Sequence, residues 1–167
     1  VDTVVTGMRR VIVSWCLVLA GCVGCSGAAE CTAIGMPAGI GVDVASGLPA
    51  HTAEVEVCRE GRCETMAVEL RPATEAVDDG CEGEGPDAVC SAHVRETGGT
   101  TGFADLPDLP DRPVEVRLVV SDLAGETLAT GTVRATPQWG SPNGPGCGAG
   151  GPQLHLDVAS DGTVAAR

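Results

Sequence analysis

The chain has 167 residues and a formal charge of −13, its ten basic residues all arginine against 23 acids. Phosphates and anionic lipid head groups repel a chain this acidic, so composition argues against DNA or RNA binding and reads the charge as a solvated surface. With no Tyr, one Phe and two Trp, any core must come from Val, Leu, Ile, Met and Ala, which bury less area than aromatic rings and call for other support.

In chain order, the first feature is an export signal. Met8-Arg9-Arg10 opens a positive region, and residues 11–20 form an apolar stretch too short to span a bilayer as a helix. Residues 1–7 read as upstream of the true start at Met8. Leu19-Ala20-Gly21-Cys22 then resembles the bacterial lipobox. That resemblance implies cleavage before Cys22 and a diacylglyceryl group on its thiol, with acyl chains that hold the protein at the membrane. Residues 1–21 are therefore expected to be leader and 22–30 a lipidated tether. The tether reaches at most about 25–30 Å, so the domain at 31–167 is expected to work beside the extracytoplasmic face of the cell membrane.

Of nine cysteines, Cys16 leaves with the signal and Cys22 carries the lipid. Cys25 is left over. The other six read as three disulfides of an exported domain. In residues 53–58, Ala53, Val55 and Val57 alternate with charged neighbours, and in 63–70 the apolar face is Met66, Val68 and Leu70. Folding these runs about Arg59-Glu60-Gly61-Arg62 sets Val55 opposite Met66 and Cys58 opposite Cys63, so one register gives a hairpin and a cross-strand bridge. Cys81 and Cys90 bracket an acidic glycine-rich loop that cannot pack alone and are expected to pair. By elimination Cys31 pairs with Cys147, and closing so long a loop contributes around 4–5 kcal/mol in the chain-entropy model.

The remaining segments alternate with period two. Ile40, Val42 and Val44 form one strand, Val114, Val116, Leu118 and Val120 another, and Leu154, Leu156 and Val158 a third. Residues 88–94 and 127–135 are weaker strands, the second with Gly131 as an expected bulge. Residues 122–125 and 160–162 are turns. No stretch has helical period. Seven or eight short half-buried strands predict a single all-β domain, an antiparallel sandwich of immunoglobulin-like type, stapled by disulfides.

Gly102-Phe103-Ala104-Asp105-Leu106-Pro107 running into residues 114–118 resembles the transthyretin-like or carboxypeptidase-regulatory-like sandwich, without that family's usual Tyr. The mature chain also resembles a group of uncharacterised lipoproteins from high-GC Gram-positive bacteria. That likeness is carried by residues 31–35 with 39–42, by 102–107, and by Pro142-Asn143-Gly144-Pro145-Gly146-Cys147. It implies location and fold, and no chemistry.

Several motifs dissolve on inspection. Cys22-Val23-Gly24-Cys25 spells CxxC, but its first thiol is claimed by lipid and no βαβ pattern follows. The GxGxxG at 146–151 lies between Pro145 and Pro152, so it is a loop rather than a dinucleotide site. His51, His93 and His155 are too scattered to make a zinc or copper site, and no nucleophile motif accompanies them. The acids at 78–87 form a loop with some capacity for calcium. Asp105, Asp108 and Asp111 recur every third residue between prolines, which in polyproline II sets all three on one face for a cation or a basic partner. Trp139 either anchors a partner or covers one end of the sandwich.

The functional expectation is a membrane-anchored lipoprotein with a non-catalytic binding or structural role. It has no cofactor beyond the lipid, and its partner is an envelope protein or polysaccharide. Two rivals are a single-lobe solute receptor of a transporter and an extracytoplasmic enzyme using paired carboxylates. The first is disfavoured because such receptors need two lobes about a cleft. The second lacks placed carboxylates, which belong roughly 5–9 Å apart in a cleft.

Overall fold

A computed structural model describes residues 31–167; the leader, Cys22, Cys25 and the tether lie outside the described residues. Ala33–Arg167 forms one compact unit. Its strands are β1 (Gly39–Val44), β2 (Thr52–Arg59), β3 (Arg62–Glu69), β4 (Arg71–Glu82), β5 (Val89–Asp105), β6 (Val114–Ser121), β7 (Thr127–Ala135), β8 (Gln138–Trp139), β9 (Pro152–Val158) and β10 (Val164–Ala166). The described residues are all-β, with one 3-10 turn at Gly85–Asp87 and no α-helix.

Two sheets share the core. One runs β10-β9-β1-β5-β4 with β8 on the edge of β9, and the other runs β3-β2-β6-β7. Among the described residues, ten strands replace the seven or eight expected. The first sheet is also not purely antiparallel, because β1 and β9 pair in parallel, Val42 beside Leu156. Parallel neighbours need a long crossover, and here nearly the whole domain lies between them.

Period-two alternation fixes which side chains go inside. Ile40, Val42, Leu156, Val55, Val116 and Leu118 are among the fully buried residues, and no polar or charged residue is buried among the described residues. Fully burying one such aliphatic side chain is worth about 1.5–3 kcal/mol. Leu106 and Leu109 plug one end of the core, with Leu109 N–H donating to the Leu106 carbonyl at 3.0 Å.

The β2–β3 hairpin has the register of Val55 against Met66 and Cys58 against Cys63, and a Cys58–Cys63 disulfide. Glu60 and Gly61 both have positive φ, 50° and 76°. That is the two-residue turn whose twist matches the flanking strands.

The expected bulge at Gly131 does not occur: Gly131 pairs regularly with Leu118, and the irregularity falls between Val120 and Ser121. Glycine is needed at 131 for space, since a Cβ there would lie 2.6 Å from Val164 of β10. That close approach brings β10 of the first sheet against β7 of the second.

Candidate functional site

The feature that stands apart from the core is the far part of the β4–β5 hairpin. β1 pairs with β5 only from Thr100 to Asp105, Val44 being opposite Thr100, so among the described strands the first half of β5 has β4 as its only neighbour. From Thr74 the two strands run on together to Glu82 and Val89, about 25 Å at the rise of a β-strand. Neither face is covered: residues 89–98 are all exposed, with Val89 at 71% and Val94 at 70%.

This arm corrects the expectation of an acidic loop. Asp78, Asp79, Gly80 and Glu82 belong to β4, and only residues 83–88 connect the strands. Of the acids at 78–87, Glu84 and Asp87 remain in the connection, while Asp78, Asp79 and Glu82 lie along the ladder.

Three devices hold the arm. The Cys81–Cys90 disulfide closes its tip. On one face Arg95 pairs with Glu75, its Nε donating at 3.1 Å, and His93 Nδ1 lies 2.7 Å from Asp79 Oδ1. A bulge at 78–80 is fixed by Gly80 N–H donating to Asp78 Oδ1 at 2.8 Å. At the root, Thr97 Oγ1 donates to the Ala73 carbonyl at 3.2 Å, beside a second register shift between Pro72 and Thr74.

Beneath the root lies a shallow cleft of about 420 Å³, lined by Asp43, Ala73, Thr97, Thr100, Asp157 and Thr163 among others. Thr100 Oγ1 is, among the described residues, the buried side-chain oxygen without a hydrogen-bond partner. Next to it the outer face of the sheet carries a charge cluster. Arg167 reaches Asp43 at 2.7 Å and Asp157 at 3.1 Å, which raises the guanidinium pKa, Asp157 being the larger cause. Thr101 Oγ1 donates to Asp43 at 2.7 Å. His155 lies over Gly41, where a Cβ would be 2.5 Å from the ring, and its Nδ1 is 3.9 Å from Asp43. Arg167 thus bridges the two acids, which makes the cluster a clasp for β1 and β9.

The residues singled out from sequence fare differently. Asp105, Asp108 and Asp111 are exposed but do not share a polyproline face. Leu106 and Leu109 turn inward, and the segment folds into a tight turn around them. Asp111 accepts from Trp139 Nε1 at 3.2 Å, whereas the Asp108 main-chain carbonyl accepts from Arg59 Nη1 at 3.1 Å. Trp139 is 55% exposed, on a short strand pairing with Pro152.

Cys31 and Cys147 are each disulfide-bonded. Asn143 clasps Ile34 through both amide atoms, at 2.9 and 3.0 Å. In the GxGxxG run, Gly146 and Gly148 take positive φ, 85° and 88°, in open space, whereas Gly150 and Gly151 serve packing, a Cβ there lying 2.5 Å from Met36 and 2.4 Å from Ala38. Glu56 sits near Cys58 and Cys63 in a ligand-like cluster, but both sulfurs are spent in the disulfide and offer no thiolate.

No family model, curated protein or solved structure matches the chain.

Proposed function

We propose that this chain is an exported lipoprotein, acylated on Cys22 and held at the extracytoplasmic face of a bacterial membrane, whose folded part binds a partner rather than catalysing a reaction. We also propose kinship with the lipoproteins of high-GC Gram-positive bacteria that its sequence resembles, and a divergent immunoglobulin-like or transthyretin-like class for its two sheets. The anchor is supported by the order of charge, apolar run and lipobox in residues 8–22.

One observation carries the binding role: the arm holds a regular ladder outside the core, with both faces open. Ordering a residue costs roughly 1–2 kcal/mol of backbone entropy, and the arm recovers little of that through burial. A structure so maintained is suited to contact. Its position adds to this, because the chain enters β1 at the Trp139 end and the arm leaves from the opposite end, where β1 stops at Val44. An envelope protein is the favoured partner over a polysaccharide, because a ladder of backbone groups matches another polypeptide.

Replacing residues 74–96 with an Asn-Gly turn provides the test. Crosslinking in intact cells, followed by immunoprecipitation from detergent-solubilised membranes, should recover a partner with the full chain and lose it with the shortened one. Equal recovery would overturn the role given to the arm. Labelled palmitate should enter the full chain and not Cys22→Ser; failure to do so overturns the anchor.

A further inference from the structure

A strand that pairs on one side leaves backbone donors and acceptors open on the other, and such an edge templates the addition of another strand. Among the described strands, β4 pairs with β5 alone. Its regular run is 74–78, bounded by the Pro72/Thr74 register shift and by the bulge that Asp78 and Gly80 close. The Ala73 carbonyl is already engaged by Thr97. An added strand thus has about five residues of clean edge, the length of an ordinary strand.

Charge selects what adds there. β4 carries Glu75, Asp78, Asp79 and Glu82 against Arg71 at its root, and the tip adds Glu84 and Asp87. From the arm's half of β5, Arg95 pairs with Glu75 and His93 lies against Asp79, which leaves Asp78 and Glu82 as the β4 carboxylates outside those contacts. The open edge of β4 is therefore the acidic edge. A second copy pairing edge to edge would set these carboxylates against themselves, and like charges across strands are destabilising. A basic segment meets the opposite condition. The charges that keep the arm from pairing with itself thus choose its partner by sign.

We infer that the open edge of β4, over residues 74–78, receives a basic, extended segment of another protein as an additional strand. This rests on the binding role proposed for the arm and gives it a mode and a partner chemistry.

The full chain in detergent would be titrated with three seven-residue probes. One alternates lysine and valine, one alternates glutamate and valine, and the third is the lysine peptide with alternate backbone nitrogens methylated. The lysine peptide should bind and slow amide exchange at least about tenfold within 74–78, while the glutamate peptide should not bind. The methylated peptide should bind at least about tenfold more weakly, since it keeps the charge and loses the backbone donors. Asp78→Asn with Glu82→Gln should weaken the lysine peptide by about fivefold with the thermal midpoint unchanged. The first substitution keeps a side-chain oxygen that can still accept from the Gly80 N–H, so the bulge is preserved.

Equal binding of the methylated probe would overturn the inference, as would protection appearing elsewhere on the molecule. Protection of 74–78 that grows with protein concentration alone would also overturn it, by making a second copy the occupant. If shortening the arm abolishes partner capture but the lysine peptide leaves 74–78 unprotected, the arm's role stands and this mode fails. If partner capture also survives shortening, both fail.

Discussion

The β2–β3 and β4–β5 hairpins are each closed by a disulfide, between residues five apart in the first and nine in the second. Their surroundings differ. In the first, Ala53, Val55, Val57 and Val68 are buried against the other sheet, so packing holds what the disulfide also holds. In the second, Val89 and Val94 face solvent, and the ladder rests on its own hydrogen bonds, the Arg95–Glu75 ion pair, the His93–Asp79 contact and the bridge. A two-stranded hairpin in water is marginal by itself. The same covalent device therefore does different work: it is redundant in the packed hairpin and decisive in the open one.

The largest effects should come from breaking the packing that separates the two. Leu118 is fully buried and lies opposite Val55 on the neighbouring strand. Leu118→Ala should cost about 2–5 kcal/mol in denaturant unfolding, the range for a cavity left in a packed core. Val94→Ala in the arm should change global stability by less than about 0.5 kcal/mol. If the two substitutions cost the same, the arm is packed against something in solution and the contrast fails.

The disulfides themselves come next. Replacing Cys81 and Cys90 by Ser should lower the free energy of opening the arm by up to about 3 kcal/mol, the chain-entropy value for a short loop. Amide exchange would report this as loss of protection across 74–96, with the body's slowest amides unmoved. Replacing Cys58 and Cys63 by Ser should leave protection in β2 largely intact, because β6 covers its other edge and the core its inner face. Collapse of protection in both hairpins would show that the bridges, not the packing, sustain the body.

This contrast also separates what could be read from the residues from what could not. The β2–β3 register was legible because Val55 and Met66 signal an inward face and the two cysteines agree with it. β1, β6 and β9 were legible for the same reason. Half of the arm was legible, as the weak strand at 88–94 and the expected Cys81–Cys90 bridge; its β4 side was hidden, since Thr74-Glu75-Ala76-Val77-Asp78 buries no side chain fully and shows no apolar stripe to count. The cysteine pair gave the register of the tip alone: counted inward from Cys81–Cys90 it sets Glu75 against Glu96, and the bulge between Asp78 and Gly80 is what moves Arg95 opposite Glu75. The parallel β1–β9 pairing left no trace, because both strands alternate as antiparallel ones do. Gly131 misled for a related reason: a glycine in a strand signals either a bulge or a close neighbour, and the neighbour, Val164, is remote in sequence. The Arg167 clasp across Asp43 and Asp157 depends on that same pairing of distant strands.

The smallest effect sharpens the comparison at the turn of the packed hairpin. Glu60 occupies a left-handed conformation, φ 50°, which opposes an L-residue by roughly 1–2 kcal/mol and is tolerated better by Asn. Its side chain also pairs with Arg112 at 2.8 Å on the exposed surface, an interaction worth only about 0–1 kcal/mol. The two terms oppose each other in a single substitution, so the test belongs in an Arg112→Ala background, where no ion pair remains to lose. There Glu60→Asn should raise global stability by about 0.5–1 kcal/mol, because the β2–β3 turn unfolds only with the body that packs on it. A gain confined to local exchange at residues 59–62, with the global midpoint unmoved, would place this hairpin in the same uncoupled class as the arm, and the distinction between packed and open hairpins would be lost.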